Sequence, residues 1–330
     1  MSSDYRDILV VVECRPDRIM KTSLEVLSKA RELGDELGAR VEALLLGPQV
    51  EGFAETAIHN GADIVLLAEH DTLTMGNIDA LFAAVLPVVR SRKPEIVLMS
   101  ATASGLDLGP RLAAALSTGA LSDATKLEID ETDRLLIAKR LTYDGSVEAA
   151  ATVPRARPQI ASLRPGAVRI GYPDDSRYGS VERLEVDIPK SAFKVELVSI
   201  EDAPDFEPPL DSAEVVVAGG AGFDADDFHF VQDLAKALGG AWGASRAAVQ
   251  FGSAPVDRQV GATGAHIAPK LYVAVGISGQ FEHYYGVRAA EAVVAINSDK
   301  GAPVFRYAQF GLIGDAKEIV PKVIEYLKRD

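Results

Sequence analysis

Cysteine is almost missing from this chain. Cys14 is the only one in 330 residues, which excludes an internal disulfide and any metal site built from several thiolates. Standing at the end of an apolar run, it reads as a small buried residue rather than a redox thiol. Positive charge is also short: 34 Lys and Arg face 48 Asp and Glu, for a formal net charge of -14. A surface that acidic repels phosphate backbones and anionic lipid, so neither nucleic acid nor a membrane surface is an expected partner. No apolar run approaches the roughly 20 residues of a membrane span. The opening MSSDYRDILV carries acids where a basic n-region or an Arg-rich targeting helix would stand. Direct membrane insertion is not expected, and a cytoplasmic location is. Ser-His-Asp, HExxH and CxxC patterns are missing too, so no catalytic side chain is expected. Asp224, Asp226, Asp227 and His229 form the one acidic cluster resembling a metal site. Consecutive acids ahead of a helix are more simply a solvated first turn favoured by the dipole, and no metal is expected.

What is present is a globular composition, 48% hydrophobic and 25% charged, on a chain long enough for two cores. Residues 1–200 alternate strands and helices. Ile8 to Val12, Val41 to Leu46, Ile64 to Leu67 and Ile96 to Met99 read as buried strands. Leu24, Leu27, Ala30, Leu33 and Leu37 recur at helical spacing up to Gly38, and a second helix stops at Asn60-Gly61. The Ala-rich run after Ser104-Gly105 reads as a helix with Pro110 in its first turn. This alternation predicts an α/β fold, a mostly parallel sheet with helices on both faces. Ser104-Gly105 lacks a Lys and has Asp107 beside it, so it is not read as a phosphate loop. Residues 201–211, EDAPDFEPPLD, hold five acids and three prolines and read as an inter-domain linker. Residues 212–330 form a second α/β unit, opening with a strand, Val215 to Ala218, that runs into Gly219-Gly220-Ala221-Gly222.

Within that second unit, Leu271 to Asn297 is the organising stretch. An apolar strand runs into a tight turn where Gly276 and Gly279 bracket Ser278; a short polar segment and a second strand ending at Asn297 follow. Bare backbone N–H groups in such a turn can face an anion. Two further small-residue loops, Gly243-Ala244-Ser245-Arg246 and Gln259 to Gly264, add an Arg and several hydroxyls, which suits a long ligand with a diphosphate and a polar ring system.

With ASRAAV (Ala244 to Val249), QVGATG (Gln259 to Gly264), APKLYVAVGISG (Ala268 to Gly279), His283, VVAIN (Val293 to Asn297), APVF (Ala302 to Phe305) and FGLIGD (Phe310 to Asp315) in register, the chain resembles the alpha subunit of electron-transfer flavoproteins. The likeness spans nearly all of the C-terminal unit and extends more weakly into the N-terminal half. It implies a doubly wound FAD-binding domain at the C-terminus, and an N-terminal scaffold that binds no nucleotide of its own and helps dock the partner subunit.

The resemblance places Arg246 by the flavin ring, where a permanent positive charge favours the reduced, anionic ring. It places His283 near the pyrimidine end of the ring. Thr263 matches a hydroxyl donor near the central ring nitrogen, with Val260, Gly261 and Ala262 lining that loop. Ser278, Gly279, Gln280, Phe281 and Glu282 surround the diphosphate turn and the approach to His283. Ser245, Asn297 and Asp315 match phosphate, ribose or adenosine contacts. Taken without the likeness, Arg246 is a surface ion-pair residue, His283 a structural histidine and Asp315 a helix N-cap. There are departures: Ala221 stands where the family commonly has Arg, Glu282 where it usually has Gln, and Ala262 and Ala265 where polar residues are usual. Glu282 is expected to disfavour negative charge on the ring and to raise the pKa of His283.

The function so implied is not enzymatic in itself. It is electron transfer through FAD, as in fatty acid beta-oxidation, from dehydrogenases such as acyl-CoA dehydrogenases to a quinone-linked oxidoreductase, in a heterodimer with an electron-transfer flavoprotein beta subunit. The close alternative is an electron-bifurcating member that oxidises NADH, with a second FAD in the beta subunit. A more distant one is a nucleotide-binding structural module.

Overall fold

A computed structural model describes residues 4–74, 76–130, 132–142, 147–195, 209–210 and 213–328. These fall into two compact units, one up to residue 195 and one from residue 209 onward. Of the segment read as a linker, only Pro209 and Leu210 lie within the described residues, and Leu210 is buried against the second unit.

The N-terminal unit begins with β1 (Ile8–Arg15), the short β2 (Arg18–Ile19) and α1 (Lys21–Leu37). It continues through β3 (Val41–Gly47), α2 (Ala54–His59), β4 (Ile64–Glu69), α3 (Ile78–Arg92), β5 (Ile96–Ser100) and α4 (Ala103–Leu116). Strands β6 (Ala120–Ala124), β7 (Lys126–Asp130), β8 (Leu135–Thr142), β9 (Val147–Ala151), β10 (Gln159–Leu163) and β11 (Ser180–Leu184) complete it. The main sheet runs in the order β11-β4-β3-β1-β5-β10-β6, every neighbour parallel. Strand β2 pairs antiparallel with β1, and β7-β8-β9 form a separate antiparallel sheet. The inner strands β1, β3, β4 and β5 read as largely apolar runs because both faces are covered. Along β1, Ile8, Val10 and Val12 pack under α1 and α2, and Leu9 and Val11 under α3 and α4.

Helix α1 stops at Gly38, whose φ of 61° is the left-handed turn a glycine supplies. Helix α4 differs from the sequence reading, because Pro110 sits in its interior rather than its first turn. The Thr102 side chain accepts from the Gly105 N–H at 3.1 Å, so the helix starts directly after β5. Pro110 then falls on its exposed side, where water replaces the missing N–H as partner.

The C-terminal unit comprises β12 (Val215–Gly219), α5 (His229–Ala237), β13 (Ala241–Ala244), α6 (Arg246–Gln250), β14 (Leu271–Val275), α7 (Phe281–Val287), β15 (Ala292–Asn297), β16 (Phe310–Ile313) and α8 (Ala316–Leu327). The sheet is wholly parallel, in the order β13-β12-β14-β15-β16. The stretch read as a short polar segment after the Gly276–Gly279 turn holds a helix, α7. Its His283, Tyr285, Gly286 and Val287 are buried, but only Val287 among them is aliphatic, so the sequence does not show them as an apolar helix face. The chain steps from β12 outward to β13, then crosses to β14 on the other side of β12. Ligands of such sheets sit outside the carboxyl ends of the strands at that reversal.

Candidate functional site

At that reversal lies a cleft of about 590 Å³, within the range of small-molecule and cofactor sites. The loops after four strands of the sheet build it. Ala221 and Gly222 follow β12, Ser245 to Ala247 follow β13, Gly276 to Ser278 and Gln280 follow β14, Asn297 ends β15, and Asp299 follows it. Gln250, Glu282, His283, Ala302 and Pro303 close its sides.

Backbone approach explains the small residues. The Gly220 N–H donates to the Val275 carbonyl at 2.9 Å, and a Cβ on Gly220 would run into the carbonyl of Gly276. The β12 and β14 turns therefore lie against each other. Gly279 has φ +76°, and a Cβ there would come within 2.5 Å of both the Tyr307 hydroxyl and Val304 Cα. The Ser278 carbonyl in turn accepts from the Val304 N–H at 2.9 Å. Helix α7 begins at once after this turn, with no side chain capping its first N–H groups. A helix start that follows a glycine turn and points at a cleft suits a diphosphate.

The polar side chains around the turn are fixed in different ways. Asn297 donates from Nδ2 to the Ile277 carbonyl at 2.8 Å and accepts the Asp299 N–H at 2.9 Å, which locks the two loops after β14 and β15 together. Ser245 caps α6, accepting from the Ala248 N–H at 3.3 Å. Arg246 is exposed, lines the cleft, and among the described residues makes no ion pair, so the surface ion pair it would form if read alone is not found. Asp315 caps α8, accepting from the Lys317 N–H at 2.9 Å.

His283 is buried to 8% exposure while its ring reaches the cleft wall. Its Nε2 lies 2.6 Å from the hydroxyl of Tyr272, which is itself fully buried in β14. Burial pushes the His283 pKa down to about 4, against a smaller opposing pull from the backbone of Val260. This corrects the expectation that Glu282 raises it. The Glu282 side chain is exposed to water at the start of α7, whereas the imidazole is desolvated, and desolvation wins.

The loop Gln259 to Gly264 is tied to α7, with the Ala262 N–H donating to the Glu282 carbonyl at 2.7 Å. A Cβ on Gly286 would strike the backbone of Gly261, so that approach too needs a glycine on the helix. Gln259 donates from Nε2 to the Thr263 hydroxyl at 2.9 Å. Of the residues proposed from the sequence, Ser245, Arg246, Ser278, Gln280, Glu282, His283 and Asn297 meet in the cleft wall. Val260, Gly261, Ala262 and Thr263 lie behind α7, Gly279 beneath the turn, Phe281 on the exposed first position of α7, and Asp315 at the start of α8. The sequence reading left out Gln250, and it named Ala302 and Pro303 only as part of the APVF motif. Gln250 stands four residues after Arg246, the spacing that puts two side chains on one face of a helix, so periodicity could have found it. The acidic cluster is taken up locally: Asp227 pairs with Lys317, which also lies 3.7 Å from Asp224.

Residues 8–189 match the Electron transfer flavoprotein domain, and residues 209–288 the Electron transfer flavoprotein FAD-binding domain. The chain is 38% identical to the Electron transfer flavoprotein subunit alpha of Thermoanaerobacterium thermosaccharolyticum, covering 99% of each chain. It is 36% identical to Protein FixB of Clostridium saccharobutylicum, covering 99% of this chain and 97% of that one. Against the Acryloyl-CoA reductase electron transfer subunit beta of Anaerotignum propionicum the identity is 34%, over 99% and 96%. The cradle of glycine turns, the start of α7 and the inward His283 with an unpartnered Nδ1 fit a bound dinucleotide.

Proposed function

This chain belongs to the electron-transfer flavoprotein alpha-subunit family, and from that membership we propose that it is the alpha half of a heterodimeric electron carrier with one FAD held in the C-terminal cleft. Bound FAD supplies the ring system that takes up and releases electrons. The chain's own residues bind and bias. The Gly276–Gly279 turn and the start of α7 offer N–H groups to the diphosphate, and Ser245, Asn297 and Asp315 hold the polar ends of the dinucleotide. Arg246 brings a charge that never titrates, which favours added negative charge on the ring; Glu282 opposes it. His283 places an uncharged ring in the cleft wall.

The observation that carries this reading is the meeting, in one cleft, of an Arg246 without an ion-pair partner and a buried, neutral His283 beside a glycine turn. A beta subunit completes the pocket. One relative's name ties it to acryloyl-CoA reductase, and we extend that to this chain as a redox partner acting on an acyl-CoA, such as an acyl-CoA dehydrogenase of fatty acid beta-oxidation. Electrons then leave to a quinone-linked oxidoreductase. We place the carrier in the cytoplasm, where Cys14 stays reduced.

Co-expression with a beta subunit, followed by flavin quantification and a reductive titration read by absorbance, tests the proposal. One reducible FAD per heterodimer supports it. Two FAD with well-separated potentials would move the assignment to an NADH-oxidising, electron-bifurcating carrier, and a heterodimer without flavin would overturn the reading.

A further inference from the structure

We propose that Tyr272 is the positioning residue for His283, fixing its imidazole as the tautomer with the proton on Nδ1. The geometry stands by itself; only the consequence for the cofactor rests on the FAD reading above.

Tyr272 lies on the inner face of β14 at 0% exposure, beneath α7, and its hydroxyl meets His283 Nε2 at 2.6 Å. Two arrangements of that bond exist: the phenol donates to a bare Nε2, or it accepts from Nε2–H. In the second, the phenol's own proton needs another acceptor. Among the described residues the Tyr272 hydroxyl has no hydrogen-bond partner but His283, and the Tyr307 hydroxyl is itself buried without one. A fully buried O–H left unpaired is costly, so the phenol donates to Nε2. In a neutral imidazole the proton then belongs to Nδ1. Nδ1 is buried without a well-formed hydrogen bond among the described residues, but it faces the backbone of Val260, so this arrangement leaves no donor without an acceptor nearby. Burial keeps the ring neutral, and deprotonating Tyr272 is blocked because burial raises its pKa well above the ordinary phenol value. The pair is thus a donor aimed at a neutral ring whose other nitrogen carries the proton. Without the phenol, either nitrogen could carry the proton and the ring could turn.

The test is nitrogen NMR of the full chain co-purified with its beta subunit, labelled with 15N-histidine, in flavin-free and flavin-loaded form. The His283 signals are assigned by their loss in His283→Gln. The inference expects a protonated-type shift at Nδ1 and a bare-nitrogen shift at Nε2 in flavin-free protein. In Tyr272→Phe, which keeps the ring's volume, the two shifts should average or exchange places. In loaded protein the same variant should lower the one-electron potential by an amount equivalent to an up to tenfold change in the reduced fraction, 59 mV at most. A wild-type spectrum with the proton on Nε2, or an unchanged tautomer in Tyr272→Phe, overturns the inference. If Tyr272→Phe fails to fold, the wild-type spectrum alone decides. A heterodimer that holds no flavin but shows the Nδ1–H tautomer would sink the FAD reading while leaving the positioning role standing.

Discussion

The two units are wound alike and differ at the one place where winding creates a site. In the N-terminal sheet the chain steps from β1 to β3 and β4 on one side, then crosses to β5 on the other, so a crevice should open between the carboxyl ends of β1 and β5. The space there is about 20 Å³, room for roughly one water. Leu46, Leu73, Leu81 and Met99 fill it, and the Glu13 carboxyl meets the Thr102 hydroxyl at 2.5 Å. Burial raises the pKa of Glu13, and pushes the neighbouring Cys14 thiol up to about 12, the opposite of a reactive thiolate. The C-terminal crevice holds about 590 Å³ and Arg246 instead. Topology decides where a ligand can sit, and the few residues after each strand decide whether there is room and charge for one.

The largest effect should come from closing the open crevice. In Gly279→Ala the new Cβ meets Val304 and Tyr307 at 2.5 Å, on a backbone with φ +76°. Overpacking and left-handed strain each cost about 1–3 kcal/mol, enough for a roughly 100-fold weaker flavin affinity. The check is fluorescence titration of the flavin-free heterodimer with FAD. An affinity within threefold of the parent would mean that the β12/β14 crevice is not the site, and the contrast between the units would collapse.

The units should also answer pH in opposite senses. Glu25, at 3% exposure, accepts the Gly166 N–H at 2.8 Å, and burial raises its pKa to about 7. The folded N-terminal unit therefore holds a proton that the unfolded chain has released above pH 4.5. The contribution of Glu25 to its stability is full below that value and falls, by on the order of 3 kcal/mol, as pH rises to about 7. His283 works the other way. Its folded pKa of about 4 lies below the 6.5 of the unfolded chain, so its contribution to the C-terminal unit is full above pH 6.5 and is lost, by a similar amount, as pH falls towards 4. Trp242, the only tryptophan, is buried in the C-terminal unit. Urea melts read by its fluorescence follow that unit, and circular dichroism follows both. Glu25→Gln should flatten one slope and His283→Gln the other; parallel slopes would break the comparison.

Much of this was legible in the sequence, for reasons that differ by residue. Strands buried on both faces announce themselves as apolar runs, so Ile8 to Val12 and Leu271 to Val275 needed no structure. Gly38 marks a helix end because its backbone demands it. The glycine turns, Arg246 and Asn297 were singled out through the resemblance, since a lone Arg or a lone glycine turn in a sequence more often has no ligand, and the fold brings them to one cleft. Helix α7 was hidden because it is short and, of its buried residues His283, Tyr285, Gly286 and Val287, only Val287 is aliphatic. The pKa of His283 was read in the wrong direction, since sequence shows that Glu282 is adjacent but not that one side chain faces water and the other the core. The Tyr272 bond was invisible for the same reason: 11 residues separate two groups that only the fold brings to 2.6 Å.

Paired arginines sharpen the contrast at a smaller scale. Arg246→Gln should lower the flavin's one-electron potential by on the order of 60 mV, a tenfold change, and leave the unfolding midpoint unmoved. In the N-terminal unit Arg111 is bound to the buried Asp79 at 2.8 Å. Arg111→Gln should lower that unit's midpoint in urea and leave the potential unchanged. A potential that responds to both would mean that general surface charge, and not the position of Arg246 in the cleft, sets it.

The smallest expected effect separates two helix caps. Thr102 caps α4 and also binds Glu13, so Thr102→Ala should cost about 1 kcal/mol of stability with no effect on flavin. Asp315 caps α8 and was also proposed as a contact to the dinucleotide, although it is not part of the cleft wall. Asp315→Ala removes the cap and the charge, whereas Asp315→Asn keeps the cap and removes only the charge. If Asp315 touches the ligand, the Asn variant should retain its melting profile and bind flavin roughly fivefold more weakly, the worth of one hydrogen bond of about 1 kcal/mol. If both variants bind flavin as the parent does, Asp315 is a cap like Thr102. The binding surface of the C-terminal unit then ends with the loop after β15, and β16 serves the sheet alone.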